Sequence, residues 1–420
     1  MCVETSKFAQ WNQIQELMNV SKKFAATLLG VFLTTCLSAQ EVTGYSRNAI
    51  DNPTINADHS VTFRFHAPQA QQVEVESDFL PKQEVETAFG KMMANGRVKL
   101  TKDANGTWSY TSAPLESNLY TYTVHVDGVR VADPNNVYMF RDVANLWNYF
   151  IINGGYGDYF EVQDVPHGNV AKVWYPSPRA GMEQRRLTVY TPAGYADSDQ
   201  LYPVLYIMHG IGGDEDAWVD SGRLPQVLDN LIAAGKAEKM IVVVTNSNMK
   251  AQASPGNYAG SRKRPLLMNP GNMDGAFETA FPDIVNFIES HYRVKADKAH
   301  RALAGLSMGG FHTVHISANY PDLFDYVCPL SAALNDHSDT QGDSPIYKDM
   351  EAKLDRQFQN PPKLYWIACG NEDGLIVDNQ RFMAQLDAKG YKYTFVETGG
   401  GHIWANWRNY LTRFIPLLFK

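Results

Sequence analysis

Apolar and polar residues alternate in short runs between about residues 41 and 160, and the pattern changes after Val165-Pro166-His167-Gly168. In the first stretch Val61-Thr62-Phe63-Arg64-Phe65, Trp108-Ser109-Tyr110 and residues 120–126 read as strands. Asp103-Ala104-Asn105-Gly106 and Asp127-Gly128 supply hairpin-type turns between them. Short strands at this spacing predict a small all-β sandwich over residues 41–160. Beyond it, residues 203–209, 240–245, 301–304, 326–330, 364–369 and 393–396 are short apolar runs. Segments with helical apolar spacing, such as 224–234, 281–292 and 382–388, lie between most of them. That alternation predicts an α/β domain over residues 165–420, a parallel-type sheet with helices on both faces. Ligands of such sheets collect at the carboxyl ends of the strands.

The first 39 residues follow neither pattern. Lys22 and Lys23 precede an apolar run over residues 24–37 that ends in Leu37-Ser38-Ala39. A basic start, a short apolar core and a small residue at the cut predict a secretory signal peptide. The run is shorter than the roughly 20 residues of a membrane span. Met18 begins a segment of ordinary leader length, so residues 1–17 read as an upstream start. The chain is therefore expected to be exported, periplasmic or secreted. A lipid anchor on Cys36 is the less favoured alternative, because Thr35 suits that signal poorly.

Composition narrows the classes further. With 44% hydrophobic and 20% charged residues among 420, a collagen-like, coiled-coil or largely disordered chain is excluded. Lys plus Arg number 37 against 45 Asp plus Glu, a net charge of −8, so no basic footprint for nucleic acid is present. Past the leader only Cys328 and Cys369 remain, both on apolar runs, which predicts packed thiols rather than a disulfide framework. No Cys/His cluster has metal-ligand spacing, and neither a metal nor another cofactor is expected.

Gly305-Leu306-Ser307-Met308-Gly309 follows an apolar strand and opens a helical segment. A sharp strand-to-helix turn brings backbone against backbone, which demands the flanking glycines and lifts the serine hydroxyl toward substrate. A hydroxyl needs a base to become nucleophilic. His402, in a glycine loop after the last strand, is favoured over the earlier His337. The acid that orients it should come from Gly370-Asn371-Glu372-Asp373; Asp373 is preferred, with Glu372 and Asp378 as alternatives. The oxyanion hole is expected from the backbone N–H of Met308 and of Ile211, with Gly212 as the alternative to Ile211. His209 reads as a structural loop histidine.

Several separated motifs then resemble one family. These are His209-Gly210-Ile211-Gly212-Gly213, Tyr292-Arg293-Val294 with His300-Arg301-Ala302, Gly305 to Gly310, Gly401-His402 with Trp404 and Trp407, and Tyr190-Thr191-Pro192-Ala193-Gly194-Tyr195. Together they resemble the esterase D/feruloyl esterase group, carbohydrate esterase family 1, over residues 165–420. The resemblance implies a metal-free serine hydrolase of acyl esters on plant polysaccharides, through an acyl-enzyme. Feruloylated or acetylated xylan, or its oligosaccharides, would be the partner. The run Val131-Ala132-Asp133-Pro134-Asn135-Asn136, after an Asp-Gly turn, resembles the immunoglobulin-like module in front of glycogen-branching enzymes. A packing or spacer role for that half is favoured over glycan binding.

Substrate contacts are expected from Trp218, Tyr258 and Trp404. Trp407 could stack a cinnamoyl ring, and Lys250, Asn257 and Arg262 lie in the long polar stretch 246–274. The expected reaction is hydrolysis of feruloyl or cinnamoyl esters. Its rivals are an acetyl-xylan esterase, an acyltransferase on the same residues, and a glycan-binding protein with a vestigial hydrolase half.

Overall fold

The computed structural model describes residues 51–87, 90–261, 272–335 and 343–420. The leader pattern, Cys36, Arg262 and His337 lie outside the described residues.

The second half of the chain builds one eight-stranded sheet. Its strands are β1 (Asn169–Ser177), β2 (Met182–Thr191), β3 (Val204–Met208), β4 (Ile241–Val244), β5 (Arg301–Leu306), β6 (Tyr326–Leu330), β7 (Leu364–Gly370) and β8 (Thr394–Thr398), in the order β1-β2-β4-β3-β5-β6-β7-β8. From β4 to β8 neighbouring strands pair in parallel; β1 with β2 and β2 with β4 pair antiparallel. The apolar-run reading finds β3 to β8 but not the first two. β1 is mostly exposed, and β2 opens on Met182-Glu183-Gln184-Arg185-Arg186. Both arginines of that segment are buried, which is tolerable because Arg186 donates to Glu215 at 2.9 Å and Arg185 donates to the Asn246 carbonyl.

Alternate residues of the central strands feed two apolar layers. With α1 spanning Leu224–Ala233, Tyr206, Met208, Val243 and Leu303 pack against α2 (Ala276–His291) and α3 (Met308–Asn319). α4 (Met350–Gln359) and α5 (Ile376–Ala388) complete that face through Leu354, Phe382 and Leu386. Leu205, Ile207, Val242 and Ala302 face the other way, onto α1 and onto α6 (Trp404–Phe414). Cys328 and Cys369 are buried free thiols in this core. Among the described residues no helix is long and apolar enough to cross a membrane.

The antiparallel region in front has two main sheets. One runs Thr54–Ile55, Val61–His66, Thr107–Thr111, Thr101–Lys102; the other runs Met139–Asp142, Asn145–Ile151, Leu119–Val126, Val73–Ser77, Gly96–Lys99. Their facing residues, including Val61, Phe63, Trp108, Val75, Tyr122, Val124 and Phe150, form one apolar cluster. The Val131 to Asn136 run is consumed inside this region. Asp133 accepts from Tyr122 at 2.7 Å and from the side chain of Asn52, and Asn136 donates to Tyr122 and to the Tyr149 carbonyl. Its polar residues hold a turn together.

The change of sheet type near residue 160 is not a break in packing. Leu119 and Phe160 belong to the same cluster as Leu205 and Trp407. Arg408 of α6, fully buried, donates to the carbonyls of Leu119 and Ser221 at 3.0 Å each. Residues 51–420 form one compact unit.

Candidate active site

Ser307 stands between the end of β5 and the start of α3 with φ 55° and ψ −116°. That left-handed backbone is costly for a non-glycine residue and marks a constrained turn. The glycines around it are demanded by crowding. A Cβ on Gly305 would lie 2.3 Å from the Gly309 carbonyl oxygen, and one on Gly309 would lie 2.5 Å from that of Met208. The Ser307 N–H is tied to the Leu330 carbonyl at 2.9 Å, and its own carbonyl accepts from Ala333 at 3.0 Å. The turn is thus fixed from both sides.

His402 follows β8 in the Gly399-Gly400-Gly401 loop and reaches back over that turn. Its Nε2 lies 2.9 Å from Ser307 Oγ, and its Nδ1 lies 3.0 and 2.9 Å from the two oxygens of Asp373. The edge of the imidazole meets Trp407 at a centroid distance of 4.8 Å. With Nδ1–H donating to the carboxylate, Nε2 is the acceptor for the serine hydroxyl. Asp373 stands just after β7. Burial pushes its carboxyl up, but the His402 hydrogen bond and charge and the Leu375 amide outweigh that and hold it below the ordinary carboxylate range. The two other acids of that region turn elsewhere: Glu372 pairs with Lys82, and Asp378 with Arg381.

The Gly210-Ile211-Gly212-Gly213 loop leaves β3 beside Ser307. A Cβ on Gly210 would stand 3.2 Å from that of Ser307. His209, fully buried, accepts from the Ser247 N–H on Nε2 at 3.0 Å, so its proton sits on Nδ1 and goes to the Gly210 carbonyl at 2.7 Å. Burial lowers its pKa to about 4, which keeps it neutral and structural. The Met308 N–H opens α3, where first-turn amides have no intrahelical acceptor and the helix dipole favours negative charge. Ile211 lines the space beside Ser307, and Met308 follows Ser307 as the first residue of α3.

That space is a cleft of about 430 Å³ lined by Ser307, His402, Ile211, Leu306, Ile403, Trp404 and Trp407, and also by residues of the antiparallel region. Asp78, Phe140, Asp142, Val143 and Trp147 form its facing wall. Burial pushes the Asp142 carboxyl above the ordinary range, against a hydrogen bond from the Trp404 indole. None of these five residues carries a sequence signal, because a wall residue answers only to what lies across from it.

The expected substrate contacts divide. Trp404 lines the cleft. Trp218 does not: it is fully buried, its indole N–H donates to the Met208 carbonyl at 2.9 Å, and it supports Trp404 edge-on from behind. Tyr258, half-buried, is not among the described residues that line the cleft. In its polar stretch, Asn246 and Asn248 are buried and bonded to Glu215 and Gly213, so that part scaffolds the loop after β3. Among the described residues no group of three or more His, Cys, Asp or Glu side chains is placed to hold a metal ion.

A family model described as "Putative esterase" matches residues 180–418, more than half of the chain. An endo-1,4-beta-xylanase/feruloyl esterase of Xylanibacter ruminicola is 29% identical over 378 residues, covering 88% of this chain and 46% of that protein. Endo-1,4-beta-xylanase Y of Acetivibrio thermocellus is 26% identical, covering 56% of this chain and 22% of its own length. The chain thus spans less than half the length of both curated relatives. The solved structure of an enterobactin esterase from Shigella flexneri has a TM-score of 0.57 at 15% identity, covering 86% of this chain and 93% of its own. That likeness is one of fold, and it extends over more of the chain than the eight-stranded sheet region alone.

Proposed function

Because the chain belongs to the esterase family, a family of carboxylic ester hydrolases on the α/β-hydrolase fold, we propose that Ser307 is its nucleophile, His402 its base and Asp373 the group that orients the base. The observation that carries the reading is the unbroken line of contacts, Asp373 to Nδ1 and Nε2 to Oγ, all within 3.0 Å. Ser307 Oγ attacks the ester carbonyl carbon as its proton passes to His402 Nε2. The carbonyl oxygen becomes an oxyanion received by the N–H groups of Ile211 and Met308. His402 returns the proton to the departing alkoxide oxygen, and the C–O bond of the ester breaks. Water then attacks the acyl-serine with His402 again as base, releasing the acid. Asp373, held ionised, keeps the proton on Nδ1 and balances the imidazolium.

The proposed substrate is a feruloyl or related cinnamoyl ester carried on xylan. Two observations support it: the similarity to the endo-1,4-beta-xylanase/feruloyl esterase of Xylanibacter ruminicola, and a cleft whose walls include Phe140, Trp147, Trp404 and Trp407. Flat aromatic side chains suit a planar acyl group. Export is part of the proposal and rests on the pattern from Lys22 to Ala39; N-terminal sequencing of protein recovered outside the cytoplasm tests it.

Purified protein is expected to release ferulate from methyl ferulate and from feruloylated arabinoxylan, and Ser307→Ala to lower turnover roughly 10⁴-fold or more. Full activity in Ser307→Ala would overturn the mechanism. Hydrolysis of acetylated xylan with methyl ferulate untouched would overturn the acyl assignment alone. Transfer of the acyl group to an added sugar in place of release would make the protein a transferase.

A further inference from the structure

The hairpin Met139–Asp142/Asn145–Ile151 of the antiparallel region turns at Val143-Ala144 directly over the loop that carries Ile211. Val143 holds φ 53°, a left-handed backbone that a β-branched residue rarely adopts. Its two methyls lie 2.8 Å from where a Cβ on Gly212 would stand, so Gly212 and Val143 are pressed together with no room for a side chain between them. Arg141, two residues earlier, makes the second tie. Its Nη2 lies 2.5 Å from Asp214, just past the glycine loop, and its Nη1 donates to the Val143 carbonyl at 2.9 Å. Asp214 is buried, with its side chain only 3% exposed. One guanidinium thus fastens the hairpin turn and the loop to each other.

From the other side the loop is held by His209 on the Gly210 carbonyl, and by the Gly213 N–H on the same oxygen at 3.1 Å. A segment with glycine at 210, 212 and 213 has little conformational preference of its own. An oxyanion donor acts well only when its N–H is already aimed before charge develops. The inner clamp belongs to the α/β region; the outer clamp is contributed entirely by the antiparallel region.

We propose that Val143 and Arg141 are positioning residues for the Ile211 N–H, so that the antiparallel region is a working part of the active site and not a spacer in front of it. This rests on the Ser307 reading above. It predicts that loosening the clamp harms the transition state more than the bound ester, because the oxyanion exists only during reaction.

Val143→Gly, Arg141→Ala and Arg141→Lys in the full chain test it, with a short-chain aryl ester as substrate and an aryl boronic acid as tetrahedral-adduct inhibitor. Val143→Gly and Arg141→Ala are expected to lower kcat about tenfold while KM stays within about twofold. The inhibition constant of the boronic acid is expected to rise in parallel with the loss of kcat, and Arg141→Lys to recover most of it. Wild-type kcat in Val143→Gly and Arg141→Ala, or a loss confined to KM, would overturn the proposal. Should Arg141→Ala fail to fold, Val143→Gly decides, since glycine takes the left-handed turn without strain. Ser307→Ala run beside them separates the two readings. If it is inert while the hairpin variants behave as wild type, only the clamp falls; if it remains active, the mechanism itself falls.

Discussion

Ser307, His402 and Asp373 all stand on the α/β region, on turns fixed by close backbone contact, whereas the antiparallel region meets them with Phe140, Asp142, Val143 and Trp147. The first region supplies groups whose positions relative to one another are set within about 3 Å. The second supplies a wall and a clamp, whose positions are set by how two sheets and one shared core dock. A proposed reacting centre and its enclosure thus come from different layers of one fold. Ties between the two include Arg408 to Leu119, Arg223 to Tyr149 and Arg141 to Asp214.

The largest test of this division lies in the reacting centre. Asp373→Asn is expected to lower kcat about 10³- to 10⁴-fold, because the amide favours the wrong tautomer of His402. It also has a pH signature. The folded-state pKa of Asp373 is depressed below 3.8, so its stabilising contribution is present above that value and disappears as pH falls through the depressed pKa. Denaturant melts should show the stability gap between wild type and Asp373→Asn narrowing below about pH 4. A constant gap down to pH 2 would contradict the assigned contacts.

Next comes the seam. Arg408→Ala leaves two buried carbonyls without a donor and should cost on the order of 3 kcal/mol by chemical denaturation, with both regions unfolding together. Two separated transitions in wild type would mean that the regions are independent after all. Trp147→Ala probes the wall. It should raise KM for methyl ferulate about tenfold while leaving kcat on a short-chain aryl ester within about twofold. The smallest effect is expected at the surface pair Lys82–Glu372, which also links the regions but is 62% exposed at Glu372; Lys82→Ala should change stability by less than about 1 kcal/mol.

How legible each region was follows from the same contrast. Gly305 and Gly309 could be read in advance because the backbone itself needs them, and the strand-to-helix turn leaves a local spacing. β3 to β7 were legible as apolar runs because both faces of those strands are covered, whereas β8, a half-exposed edge strand, was legible only from its short run at residues 393–396. β1 and β2 were not, since an edge strand facing water and a strand that buries paired arginines carry no such run. Trp218 shows the converse: an aromatic beside a glycine loop suggests a substrate contact, yet its hydrogen bond to Met208 places it in the core.

The amino-acid order alone determined the α/β class, the serine turn and the candidate histidine, because each answers to demands made within a few residues along the chain. The sequence preferred Asp373 without removing Glu372 and Asp378; only the tertiary structure put Asp373 on His402, paired the other two elsewhere, and brought Asp142, Val143 and Trp147 to the cleft. Those outcomes depend on distances across sheets and between regions. Side chains far apart in the chain come within reach only when both packed layers are complete.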